Sequence, residues 1–125
     1  MGNKTMDFDY PLIIYNEMVT TAKNKSTVDY EHLILLTRNV FTREEIDGIL
    51  LGHCISDLEI GKPELWVLVR ENGSELPSND YFEFLLSQQL MLPAENREEV
   101  YKRQLNKAYE YWPKRKRTGK KKRNL

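Results

Sequence analysis

The stretch Gly61-Lys62-Pro63-Glu64-Leu65-Trp66-Val67-Leu68-Val69-Arg70-Glu71-Asn72-Gly73-Ser74-Glu75-Leu76-Pro77 decides the fold class. Up to Gly61 the apolar residues recur at helical spacing. After Lys62-Pro63, Leu65, Val67 and Val69 alternate with Trp66, Leu68 and Arg70, the period of a strand. Asn72-Gly73 supplies two residues tolerant of positive φ, the signature of a tight turn. These features predict a β-hairpin over residues 65–78, its second strand short and interrupted at Pro77.

The strongest helix-start signal lies just upstream. Thr42 and Glu45 have capping-box spacing, with Phe41 and Ile46 at the positions of a hydrophobic staple. They open a helix from about Arg43 to Glu59, whose buried face is Ile46, Ile49, Leu50, Cys54 and Leu58, with Gly61 as its left-handed terminator. Gly48, Gly52 and Ser56 share one side of it. A glycine inside a helix costs about 1 kcal/mol relative to alanine, so close approach of another element is expected there.

Two helices precede this one. Pro11 suits a first helical position, and Leu12, Tyr15, Met18, Val19 and Ala22 make one stripe. Ser26 and Asp29 have the spacing of a second capping box, before a helix that buries Tyr30, Leu33 and Leu36. Downstream, Asp80 and Glu83 cap a short helix through Phe84, Leu85 and Leu86, a helix reading being preferred to a strand. Asn96 and Glu99 open the last helix, with Tyr101, Leu105, Ala108 and Trp112 as its stripe and Pro113 as its stop.

The expected class is therefore α+β, mainly helical and winged-helix-like: three helices, a β-hairpin and a C-terminal helix. At 125 residues one hydrophobic core is expected. The chain divides into a globular domain over residues 1–112 and a basic, disordered tail over 113–125.

Charge divides along the same line. The formal net charge is zero, from 19 basic and 19 acidic residues. Eight of the basic ones, Lys114, Arg115, Lys116, Arg117, Lys120, Lys121, Lys122 and Arg123, stand in the tail, which has no acid. That leaves eleven basic against nineteen acidic residues, a charge of −8, for the remainder. Such a tail displaces condensed counterions from nucleic acid, a sequence-independent and salt-sensitive attraction. Alternatives are a solubilising or intramolecular role against the acidic domain, or a protein address.

A resemblance extends this. Helices followed by a hairpin resemble the winged-helix layout. Gly52-His53-Cys54, Gly61-Lys62-Pro63-Glu64-Leu65, Val67-Leu68-Val69, Gly73, Leu76-Pro77 and Tyr81-Phe82, with Val100-Tyr101 and Ala108-Tyr109-Glu110-Tyr111-Trp112, resemble a small bacterial and phage-associated domain. Its pattern is a "YC…GLPPL" turn, an "ALVVNK-x-TG-x-PG-x-GFF" hairpin and a "VY-x-YxW" terminal helix. Ser78-Asn79-Asp80 replace that family's glycines after the hairpin proline, which puts the loop shape in doubt. The resemblance implies a place beside restriction or mobile-element functions.

No enzyme signature stands out. His32 and His53 lack metal-ligand spacing, and Cys54, next to His53, points about 100° away on a helix. No catalytic residue, metal or cofactor is expected. A single cysteine and short apolar runs fit a cytoplasmic protein with no membrane span. The expected function is that of a nucleic-acid-associated accessory protein. Its contacts would be non-specific, to DNA or RNA through the eight tail cations, with Lys62 and Arg70 as further candidates, and its acidic body would bind protein. The helix at 43–59 carries Glu44, Glu45, Asp47, Asp57 and Glu59 and is electrostatically unsuited to a major groove. The alternative is a phage or mobile-element protein that regulates or inhibits a nucleic-acid enzyme through its acidic body.

Overall fold

The computed structural model describes residues 8–113; the eight tail cations lie outside the described residues. Five α-helices and one two-residue strand pair make up the fold: α1 (Tyr10–Lys23), β1 (Val28–Asp29), α2 (Tyr30–Leu36), α3 (Arg43–Glu59), β2 (Val69–Arg70), α4 (Asn79–Ser87) and α5 (Arg97–Tyr111), with a 3-10 turn at Trp66–Leu68. It is mainly helical α+β.

The capping box of α3 forms as its sequence dictates. Glu45 N donates to Thr42 Oγ1 (3.2 Å) and Thr42 N to Glu45 Oε1 (2.9 Å). The helix ends at Glu59, with Gly61 at φ +82°. It buries Ile46, Leu50, Cys54 and, unexpectedly, Asp57. Two other starts differ by two or three residues from the sequence reading. Ser26 Oγ donates back to Thr21 O (3.3 Å), and Asp29 itself caps α2 by accepting from His32 N (3.0 Å). Ser78, rather than Asp80, caps α4. In α1 the buried line is Ile14, Met18, Thr21 and Ala22, so Leu12 is half exposed.

The hairpin is the main correction. Residues 64–69 are all buried, on both sides of the chain, so the sequence alternation does not sort them into an inner and an outer face. Glu64 Oε1 accepts from Val67 N (3.1 Å) and winds the backbone into the 3-10 turn. Only Val69 and Arg70 stay extended, and they pair in parallel with Val28 and Asp29. The expected second strand is a loop. Glu71 N donates to Leu76 O (2.9 Å), and Gly73 takes φ +77° as the turn requires. Asn72 does not face a strand partner; its Oδ1 accepts from Glu31 N (3.2 Å) in the first turn of α2. The wing of the expected winged-helix arrangement is thus replaced by a cross-connection to β1 and α2.

The core runs through every helix: Ile14 and Met18 of α1, Tyr30 and Leu33 of α2, Leu50 of α3, Trp66 to Val69 of the turn and β2, Tyr81, Phe82, Phe84 and Leu85 of α4, and Val100 and Ala108 of α5. In α5 the buried line is Val100, Gln104 and Ala108. The expected Tyr101, Leu105 and Trp112 lie beside it, half-buried.

The glycines of α3 do not serve close packing. A Cβ at Gly48 or Gly52 would meet nothing within 4 Å. Their helical cost is therefore uncompensated within the described residues, and Gly48→Ala and Gly52→Ala should each stabilise the protein by about 0.5–1 kcal/mol. Urea unfolding midpoints check this; a loss of stability would show a contact that the fold does not display.

Candidate nucleic-acid interface

At the C-terminal end of α5 the buried line Val100, Gln104 and Ala108 leaves Lys107 and Tyr111 facing outward. Tyr109 OH donates to Ser26 O (2.9 Å), and Lys25 Nζ lies 5.8 Å from the Tyr109 ring. Tyr111 and Trp112 stand edge to face at 5.0 Å, and Lys62 Nζ sits 5.4 Å from the Trp112 ring. Tyr111 is 46% exposed. Neither Lys62 nor Lys107 has a carboxylate partner within 4.0 Å among the described residues. Pro113 follows at once, and then the tail.

Between α5 and the end of α3 lies a cavity of about 480 Å³. Leu58, Pro63 and Leu90 form its apolar wall, while Lys62, Lys107 and Glu110 supply its charges. Glu64 and Gln104 also line it, and both are buried.

Glu64 is the centre of a polar network. Tyr81 OH donates to Glu64 Oε2 (2.6 Å), as does Gln104 Nε2 (3.2 Å), and Val67 N donates to Oε1 (3.1 Å). Burial pushes the Glu64 carboxyl up from its ordinary value, an effect only partly offset by these donated hydrogen bonds. The Tyr81 hydroxyl is pushed up as well, by burial and by the neighbouring carboxyl. Gln104 Oε1 has no partner among the described residues, so a protonated or amide group at position 64 can be accommodated by turning the Gln104 amide.

Of the body residues expected to meet nucleic acid, Lys62 lies at this site and Arg70 does not. Arg70 Nε donates to Thr27 Oγ1 (2.8 Å) and Nη1 to Ser74 O (2.9 Å), which ties the loop to the segment before β1. The remaining arginines of the body are likewise engaged. Arg43 pairs with Glu71 through both nitrogens and covers the Tyr30 ring at 4.0 Å. Arg103 pairs with Glu95 (3.0 Å), Arg97 lies over Phe82 and Arg38 over Phe8.

Sequence reasoning missed Lys107, Glu64 and Gln104. The signal for Glu64 was a single acid at the head of an apolar run; for Gln104 it was its i+4 spacing from Val100 and to Ala108.

A different face carries the acids. A groove of about 390 Å³ between α3 and α4 is lined by Asp47, Asp80 and Glu83 around Trp66 and Phe84. Leu51 and Ile55 are exposed on α3. The groups that serve catalysis elsewhere are dispersed here. His32 Nε2 meets Glu17 (2.6 Å), His53 Nε2 donates to Pro11 O (2.8 Å), and the Cys54 thiol is buried and pushed well up. Among the described residues no three His, Cys, Asp or Glu side chains gather as metal ligands. No helix of the described residues is long and apolar enough to cross a membrane. Compared with known protein families, curated proteins and solved structures, the chain matches none.

The Glu64 network predicts how stability depends on pH. Because the folded carboxyl binds its proton more tightly than the unfolded one, its contribution is full below about pH 4.5 and declines as pH rises through the folded value. Glu64→Gln should remove that decline. Glu64→Leu leaves three buried donors without acceptors and should cost about 3 kcal/mol at pH 7. Urea titrations of the three proteins between pH 4 and 8 measure both effects.

Proposed function

We propose that this chain is a non-enzymatic, cytoplasmic nucleic-acid-associated protein. Its basic tail supplies sequence-independent contact with DNA or RNA, and the end of α5 supplies the adjoining platform. One observation carries the reading: Lys62, Lys107, Tyr111 and Trp112 gather where the chain enters its eight-cation segment. Cations that approach phosphates and rings that stack on unpaired bases are the two components of sequence-tolerant binding to single strands. The carboxylates of the α3–α4 groove repel phosphate and confine the contact to this end.

That groove favours a second role alongside the first. Asp47, Asp80 and Glu83 flank it, and Leu51, Ile55 and the open glycines lie on the same helix, α3. An acidic surface with exposed aliphatic groups suits a basic protein partner. A regulator of a nucleic-acid enzyme, as the likeness to the phage-associated domain implies, would use this face.

Fluorescence anisotropy with a labelled 20-nucleotide single strand tests the proposal. Affinity should fall steeply with salt and vanish when the eight tail cations are changed to glutamine. Lys62→Gln with Lys107→Gln should weaken binding about threefold to tenfold and lower the salt slope by about 1 for each phosphate contact removed. Leu51→Glu with Ile55→Glu should leave it unchanged. Full affinity without the tail cations would refute the proposal.

A further inference from the structure

Asp57 is only 6% exposed, yet its Oδ2 has no hydrogen-bond partner among the described residues. Its Oδ1 accepts from Tyr15 OH (3.2 Å). An acid this deeply buried with one oxygen unmatched is costly unless a donor or a cation meets it. Asp57 lines a cleft of about 460 Å³ between the start of α1 and the second half of α3, together with Asp9, Leu12, Tyr15, His53 and Ser56. The cleft holds two carboxylates and no lysine or arginine. Lys62, outside this lining, and His53 act on the Asp57 carboxyl only through space, and neither hydrogen-bonds its Oδ2.

The described chain ends near the end of α3, the helix whose Asp57 lines this cleft. Lys62 N donates to Asp57 O (2.9 Å), and Lys62 Nζ lies over the Trp112 ring, which fixes Trp112 near the end of α3. Lys114, Arg115, Lys116 and Arg117 follow immediately. Four extended residues span about 13 Å. The tail carries +8 and the rest of the chain −8, so charge and reach select the same occupant.

We propose that the cleft of Asp9 and Asp57 is the docking site of this chain's own segment Lys114–Arg117, whose cations offset the charge of the two carboxylates from within the cleft. Docked, these cations are withheld from phosphate, so nucleic acid and the cleft compete for one segment.

A nitroxide on Thr118→Cys tests this in the full chain, since the native Cys54 is buried and escapes labelling. At 50 mM salt the amide signals of Asp9, His53 and Ser56 should broaden several-fold more than those of Asp80 and Glu83. The difference should disappear at 500 mM salt, in Asp57→Asn, and in a variant with Lys114, Arg115, Lys116 and Arg117 changed to glutamine, which leaves the body intact. Uniform broadening, or broadening centred on Asp80 and Glu83, would overturn the proposal. So would broadening that grows with protein concentration, which places a second copy's tail in the cleft. Addition of a 20-nucleotide single strand separates the two claims: broadening that persists in its presence sinks the competition, and with no binding by anisotropy it sinks the nucleic-acid function while the docking stands.

Discussion

The carboxyl of Glu64 accepts one hydrogen bond from each of three parts of the molecule: the 3-10 turn through Val67, α4 through Tyr81 and α5 through Gln104. Without it the stretch from Leu65 to Val69 has no reason to leave the extended state that its alternation favours, and α4 and α5 lose their shared polar anchor. A buried acid is expensive, and the three donated hydrogen bonds offset part of the cost that burial imposes on its charged form. A second network works beside it. Trp66 Nε1 donates to Tyr30 OH (3.1 Å), Tyr30 OH donates to Asp47, and Arg43 closes over the Tyr30 ring while pairing with Glu71. Burial raises the Tyr30 hydroxyl to about 12, so it remains a donor at any physiological pH. The two networks meet at the turn, which explains how a segment with only two residues of strand is fixed against four helices.

The same packing distributes the charge. Arg43, Arg70, Arg97 and Arg103 are spent on carboxylates, carbonyls, a hydroxyl or rings inside the fold. The cations without carboxylate partners that adjoin the tail are Lys62 and Lys107, held at the end of α5 by the geometry that Glu64 imposes on that helix. The acids of α3 and α4 face elsewhere. Among the described residues this leaves an acidic face at the α3–α4 groove and two lysines without carboxylate partners near the end of α5.

Legibility in the sequence followed the range of the interaction. The start and end of α3 were readable because Thr42, Glu45 and Gly61 act within one turn. The starts of α2 and α4 were misplaced by three and two residues, since Ser26, Asp29, Ser78 and Asp80 are all competent caps and tertiary packing chose among them. The hairpin reading failed because alternation predicts a strand only where one face is exposed, whereas residues 64–69 are buried throughout. Gly48 and Gly52 were read as a packing face and are open. The basic tail was plain from composition. Of the body cations named from the sequence, Lys62 lies near the end of α5 and Arg70 is used internally, while Lys107, beside Lys62, was not named.

Carbon-13 NMR of the Glu64 side-chain carboxyl, followed between pH 3 and 9, tests the central constraint most directly. A buried acid that organises the turn, α4 and α5 should titrate above its ordinary 4.5 and shift its resonance together with those of Tyr81 and Gln104. A midpoint at or below 4.5, with Tyr81 and Gln104 unaffected, would contradict it.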